Sequence, residues 1–391
     1  MDASLAPRPW RPLPVVTLLF SYMLLFGITV STFGVLWAEL MPALQLDEAD
    51  IGNAQLASPL IAIVILLAGG AIVAITGKKR LALAGLVILG GAMIVTARAD
   101  GFWALIGALL LQGTAFGALE MVINSATLDW EHATGRSVMN AMHAGFSGGA
   151  VIGALVAGAL LEAGWTYQDL LYAIAALSAI ALLATLPIAY APETGGDSSS
   201  PLAAFHILAV PAIAWLALIG LLGVVGETVA IGWSVIYLQQ LGADVLASGA
   251  AFALFNATMF VGRLLNAPLV ARWGPRVSLV VSGALLVIAG GLLLLPQPQL
   301  WVAIVAFALC GVGVAGVIPT VLSAAARVAP GQSGAITGAI MATAYLCFII
   351  IPPLIGAIAV RYGLQLALIS IGASGLALLL LVSRVAHHRA R

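Results

Sequence analysis

Charge is what this chain has least of. Fifteen basic and fifteen acidic residues amount to 8% of its 391 positions and cancel to a formal net charge of zero, where a globular domain carries about 25% charged residues. That little polar surface cannot face water while 62% of the residues are hydrophobic, so a soluble fold is excluded. A basic patch or stripe is lacking too, which argues against nucleic acid as a partner. Only two cysteines occur, Cys310 and Cys347, both inside apolar runs; neither a disulfide framework nor a thiolate metal cluster follows. A P-loop, an HExxH pair and any clustered Cys/His ligand set are missing as well, so neither metal nor cofactor is expected. What the chain has is long apolar runs. It reads as an all-α, polytopic membrane protein.

A helix needs about 20 apolar residues to cross the hydrocarbon, at about 1.5 Å of rise each. Twelve such stretches are predicted, at about 15–37, 51–75, 81–97, 102–126, 138–161, 168–189, 212–238, 246–268, 277–295, 300–325, 334–360 and 364–384. The first is too long for the apolar region of a signal peptide and is retained as a span. Loops are short. The longest, rich in Gly, Ser and Pro, is a linker at 191–205 that separates a six-helix half, 1–190, from another, 206–391. Pro211 interrupts an apolar run that is too long for one straight span, which predicts a turn before it. Kinks are predicted at Pro59, Pro319 and the Pro352-Pro353 pair. Placing both termini in the cytoplasm puts twelve Lys and Arg residues inside and only Arg98 and Arg361 outside, the asymmetry of the positive-inside rule.

The halves repeat. Gly70-Ala-Ile-Val-Ala74-Ile-Thr-Gly77-Lys78-Lys79-Arg80 follows span 2, and Ala267-Pro-Leu-Val-Ala271-Arg272-Trp-Gly274-Pro-Arg276 follows span 8; Gly77 and Gly274 are 197 residues apart. Duplicated halves are typical of secondary transporters. Both loops resemble the motif of the major facilitator superfamily, Gly-x-x-x-Asp-x-x-Gly-(Arg/Lys)-(Arg/Lys), except that Ala74 and Ala271 stand where the family has aspartate. In span 4, Gly117-Ala-Leu-Glu120-Met-Val-Ile-Asn124 is similar to the Gly-x-Leu-Glu-x-x-x-Asn of fucose:proton symporter relatives. The run Arg136 to Gly149 resembles span 5 of YbjJ-like bacterial inner-membrane permeases. The aspartate that fucose permeases carry in span 1 is absent. The resemblance implies twelve transmembrane helices in two pseudo-symmetric six-helix bundles, working by alternating access in a bacterial inner membrane. It also implies that Glu120 is the proton site, and that Gly70, Gly77, Lys78, Lys79, Arg272, Gly274 and Arg276 belong to the conformational machinery. The expected partners are a small organic solute, protons and lipid, with the chain acting as a monomer.

Ionisable groups inside a bilayer cost about 2.5–3.5 kcal/mol or more each, so each one asks for a reason. Glu120 and His143 lie at similar depths on neighbouring spans and can share a proton, because low dielectric favours the protonated carboxyl group. The structural alternatives are a helix-to-helix hydrogen bond for Glu120 and contact with interfacial water for His143. Glu227, beside Gly226 in span 7, binds a proton or substrate, or closes an outer gate as half of a salt bridge. Arg263 near the end of span 8 is a candidate for the conformational or gating machinery; the alternatives are that it snorkels to cytoplasmic phosphates or forms a structural pair. Tyr22, Phe26, Gln112, Asn124, Trp233, Asn256 and Tyr345 make up a mixed polar and aromatic lining for the solute; Trp233 and Tyr237 alternatively form an outer aromatic belt. Gly145, Gly149 and Gly153, with Gly334 and Gly338, present smooth helix faces in spans 5 and 11.

Three motif matches fail on context. Gly311-Val-Gly313-Val-Ala-Gly316 fits a dinucleotide fingerprint but has no strand before it, and the sequon at Asn256 lies inside a span. Gly145-Phe-Ser147-Gly-Gly149 fits a nucleophile elbow, with His143 nearby; an intramembrane serine hydrolase is the remote alternative, against which stands the absence of a strand-to-helix turn. The reading is a non-enzymatic secondary transporter, coupled to protons by symport through Glu120. A proton-coupled exporter or an uncoupled facilitator are the alternatives within transport.

Overall fold

The computed structural model describes residues 12–134, 138–190, 206–329 and 333–382, and every regular element among them is helical. The first half is built from α1 (Pro12–Ala43), α2 (Glu48–Thr76), α3 (Lys78–Ala97), α4 (Phe102–Thr134), α5 (Met139–Glu162) and α6 (Tyr167–Thr185). The second contains α7 (Pro211–Gln240), α8 (Val245–Leu293), α9 (Leu300–Ala315), α10 (Val317–Val328), α11 (Ser333–Tyr362), α12 (Leu364–Ala367) and α13 (Ile369–Val382). The linker at 191–205 lies outside the described residues.

Eleven helices among the described residues are long and apolar enough to cross a membrane. The twelve expected spans fall in eleven elements because α8 comprises two helices, spans 8 and 9, that meet without an intervening loop. Its backbone leaves helical geometry at Gly274 (φ 82°, ψ 168°), which divides it into two arms. Gly77 turns the chain between α2 and α3 in nearly the same way (φ 77°, ψ 148°). Side-chain-bearing residues avoid this region of positive φ, so glycine is needed at both turns. The expected turn before Pro211 is present, with Pro211 in the first turn of α7, where its missing N–H costs nothing. The chain breaks at Gly316, three residues before Pro319, whose ring would meet the carbonyl of Ala315 in a continued helix. By contrast α2 continues through Pro59 and α11 through Pro352 and Pro353.

The repeat extends to the helix starts. Asp47 caps α2 by accepting from the backbone N–H of Asp50, and Asp244 caps α8 by accepting from that of Ala247; these caps have the same spacing as the two turn glycines. Two positions before each cap, Gln45 and Gly242 both have positive φ. Such caps satisfy N–H groups that a helix leaves open at its start.

Within the first half α1 packs on α5, and α4 on both α2 and α3; within the second, α8 packs on α9 and α13, and α7 on α11. The halves meet where α2 crosses α11, α5 crosses α8 and α1 crosses α7. Several of these contacts gather at the cation-poor face, the one bearing Arg98 and Arg361. There a Cβ on Gly52 would fall 2.4 Å from the Pro352 carbonyl oxygen, and one on Gly356 2.3 Å from that of Glu48. On the α5–α8 side Gly158 and Gly249 approach backbone to backbone, and Gly34 lies against the Phe252 ring. Gln55 Nε2 donates to the Gly232 carbonyl at 3.1 Å. Small residues thus allow the halves to close on one another at that face. The outward helix surfaces expose Ile180, Leu183, Leu264 and Leu380, side chains whose exposure to water would cost about 1.5–3 kcal/mol each and whose natural solvent is lipid.

Candidate functional site

Polar side chains from both halves meet below this closure. Glu120 of α4 accepts a hydrogen bond from the Tyr345 hydroxyl of α11 at 2.6 Å, across the boundary between the halves. The partner expected for Glu120 was His143; its side chain lies outside the described residues, so the pair the structure describes is Glu120 with Tyr345. Asn124 follows one turn along α4 and is half-buried. Tyr345 also packs against Phe348, with ring centroids 6.1 Å apart.

A second group forms around Arg263 of α8. Its Nη1 donates to Ser147 Oγ of α5 at 3.2 Å, and its Nη2 lies 3.6 Å from Met259 Sδ and 4.0 Å from Glu227 Oε1 of α7. The guanidinium of Arg263 turns inward to Ser147 and Glu227, not to the membrane surface, which sets aside snorkelling. Ser147 sits inside the continuous helix α5, without the strand-to-helix turn that a nucleophile elbow requires. The glycines of the fingerprint-like run 311–316 likewise belong to α9 and its end, with Gly311 packed against the Phe255 carbonyl.

The predicted lining divides. Phe26 packs on Phe116 at 4.3 Å and Phe146 at 5.5 Å, forming an aromatic cluster of α1, α4 and α5. Tyr22 is tied to Thr185 at 2.5 Å and Tyr190 at 3.2 Å, so its hydroxyl joins α1 to the end of α6. Asn256 donates to the Phe252 carbonyl of its own helix. Gln112 Oε1, Trp233 Nε1 and Tyr237 Oη are buried without a hydrogen-bond partner among the described residues. Trp233 and Tyr237 are 0% and 3% exposed, which overturns the aromatic-belt alternative, since belt residues face lipid headgroups.

At the cation-rich face, Lys78 forms an ion pair with Asp129 of α4, and Lys79 donates to the Leu186 carbonyl at the end of α6 at 2.7 Å. The first junction is therefore braced by Asp129, a residue that the sequence reasoning passed over. Gly70 lies within α2, Arg272 stacks over Trp273 at 4.9 Å, and Arg276 is half-buried beyond the Gly274 turn. The second junction has a different brace. Ser278 donates to Asn266 Oδ1 at 2.5 Å, while Asn266 Nδ2 donates to Thr320 Oγ1 at 3.1 Å and lies 3.4 Å from the Gly316 carbonyl, joining α8 to the helix break in a buried, uncharged network. Polar residues inside apolar runs were the available signal for this network, and for Gln55.

A family model described as Major Facilitator Superfamily matches residues 18–352 and 218–390. The chain belongs to the major facilitator superfamily. It is 28% identical over 381 residues to the uncharacterized transporter y4wD of Sinorhizobium fredii, covering 93% of this chain and 94% of that one. Among solved structures, a mutant of the nucleoside transporter NupG superposes with a TM-score of 0.82 at 16% identity, over 96% of this chain and 99% of that one. A variant of the E. coli fucose:proton symporter FucP gives 0.63 at 15% identity, over 95% and 98%. The structural likenesses show the major facilitator fold, and with the family they make this chain a multi-pass membrane transporter and not an enzyme.

Proposed function

We propose that this transporter carries a small, partly polar organic solute across a bacterial inner membrane by symport with protons, with both termini cytoplasmic and Glu120 as the proton site. The observation that carries the reading is the Glu120–Tyr345 hydrogen bond, which joins α4 to α11 across the two halves. A carboxyl group in that place couples its proton to the contact between the halves: ionised it only accepts, and protonated it also donates. Loading a proton therefore rewrites one of the polar contacts that hold the halves together, which is what coupling a proton to a rocking motion requires. The solute site falls between 1–190 and 206–391, lined by Phe26, Gln112, Asn124, Trp233 and Asn256. FucP, by its name a proton symporter, and NupG, by its name a nucleoside transporter, have folds that support a solute of this size class.

The test is uptake into proteoliposomes of labelled sugars, nucleosides and small organic acids. Glu120→Gln is expected to abolish uptake driven by a proton gradient while counterflow of the same solute continues. Uptake that remains gradient-driven in Glu120→Gln removes the proton role from this residue. Flux indifferent to the gradient in the unaltered protein makes it a facilitator.

A further inference from the structure

Arg263 is half-buried and has few close contacts among the described residues. A guanidinium offers five N–H donors in a rigid fork, yet the contacts of Arg263 are a hydroxyl at 3.2 Å, a thioether sulfur at 3.6 Å and a carboxylate oxygen at 4.0 Å. The last distance satisfies an ion pair but is beyond hydrogen-bond reach. The fork is therefore directed at Glu227 without being engaged by it. The Arg263 side chain keeps 32% of its surface exposed and that of Glu227 keeps 18%. The guanidinium reaches across to Ser147 of the opposite half and toward Glu227 of α7, so it lies at the boundary between the halves.

A planar, two-oxygen anion is what such a fork binds best, through two parallel charge-assisted hydrogen bonds. We propose that Arg263 is the recognition residue for a carboxylate group on the transported solute, and that Glu227 serves as its resting counter-ion, displaced when the solute arrives. The inference rests on the carrier reading above and narrows it to monoanionic organic acids. Charge favours a carboxylate over a phosphate: a phosphate dianion would set two charges against one guanidinium that already faces Glu227. Displacement also gives Glu227 a definite effect. It competes with the solute for Arg263, so removing its charge strengthens binding, whereas removing the charge of Arg263 weakens it. A purely structural ion pair gives neither result.

The experiment is thermal unfolding of the purified full chain in lipid nanodiscs, with matched acid and amide pairs: lactate and lactamide, glucuronate and glucuronamide, nicotinate and nicotinamide. At least one acid is expected to raise the melting temperature while its amide does not. In Arg263→Gln the affinity for that acid falls about 10- to 100-fold, the range for losing a hydrogen-bonded charge pair, and in Glu227→Gln it rises. Arg263→Lys, which keeps the charge and loses the fork, falls between and guards against a folding defect in the glutamine variant. An amide that stabilises as well as its acid overturns the proposal. So does an acid that stabilises Arg263→Gln as well as the unaltered protein, or the failure of every acid to stabilise both the unaltered protein and Glu227→Gln. No proton gradient is present in this assay. Stabilisation by sugars or nucleosides alone would therefore leave the carrier reading standing and remove this one, while the Glu120→Gln uptake result bears only on proton coupling.

Discussion

Gly52→Ala tests whether the glycine contacts hold the cation-poor face shut. The new Cβ would lie 2.4 Å from the Pro352 carbonyl oxygen, where ordinary contact begins near 3.4 Å, so α2 and α11 must separate by about 1 Å if that face stays closed. The obstacle is backbone and not the swinging end of a side chain, so it cannot step aside. Overpacking of this kind costs about 1–3 kcal/mol, and the strain falls only on the conformation in which the two helices touch. The closed population should therefore drop by about 5- to 150-fold relative to one open at that face. Nitroxides on Trp165→Cys and Tyr362→Cys, exposed positions on the two halves at this face, report the separation by double electron–electron resonance. Cys310 and Cys347 are buried and take no label. A longer-distance component is expected in Gly52→Ala and not in the control Gly148→Ala, whose Cβ meets nothing within 4 Å. An unchanged distance distribution, at whatever stability, refutes the idea that this approach keeps the face closed.

Two further substitutions probe the braces beneath the halves. Lys78→Met leaves the Asp129 carboxylate without its cation and is expected to lower stability by about 1–3 kcal/mol; the reversed pair Lys78→Asp with Asp129→Lys should recover part of this in thermal unfolding, and no recovery would mean that position and not charge matters. Ser278→Ala removes the 2.5 Å donor to the buried Asn266 Oδ1. Its expected loss is also about 1–3 kcal/mol, and a melting temperature within error of the unaltered protein would show that Asn266 finds another donor.

Much of the architecture could be read from hydropathy and repeat alone, because lipid forces each crossing into a helix of fixed minimum length. The division between spans 8 and 9 was legible too, since Gly274 sits between Arg272 and Arg276, and the backbone turns there. The turn glycines were legible because they recur at a fixed offset and sit before cations. Side-chain partners were not. Glu120 and Tyr345 were each singled out, but their hydrogen bond joins positions 225 residues apart, and nothing in local periodicity sets the rotation of α4 against α11. The match of Glu120 with His143 rests on depth alone, and the His143 side chain lies outside the described residues. Asp129 carries no motif signal, because the aspartate position of the motif is Ala74 on α2 while the acid of this junction stands on α4. Tyr237 looked interfacial from its place near a helix end, yet its ring is covered by neighbouring helices, which only packing reveals.

The two junctions, built on one plan, are fastened by opposite chemistries. Lys78 and Asp129 hold the first with an ion pair whose lysine is covered by neighbouring helices. Asn266, Ser278 and Thr320 hold the second with neutral groups sealed from water. The fold asks only that each junction be held, not how, so a duplicated protein can keep its turn glycines while the fastening chemistry beside them diverges.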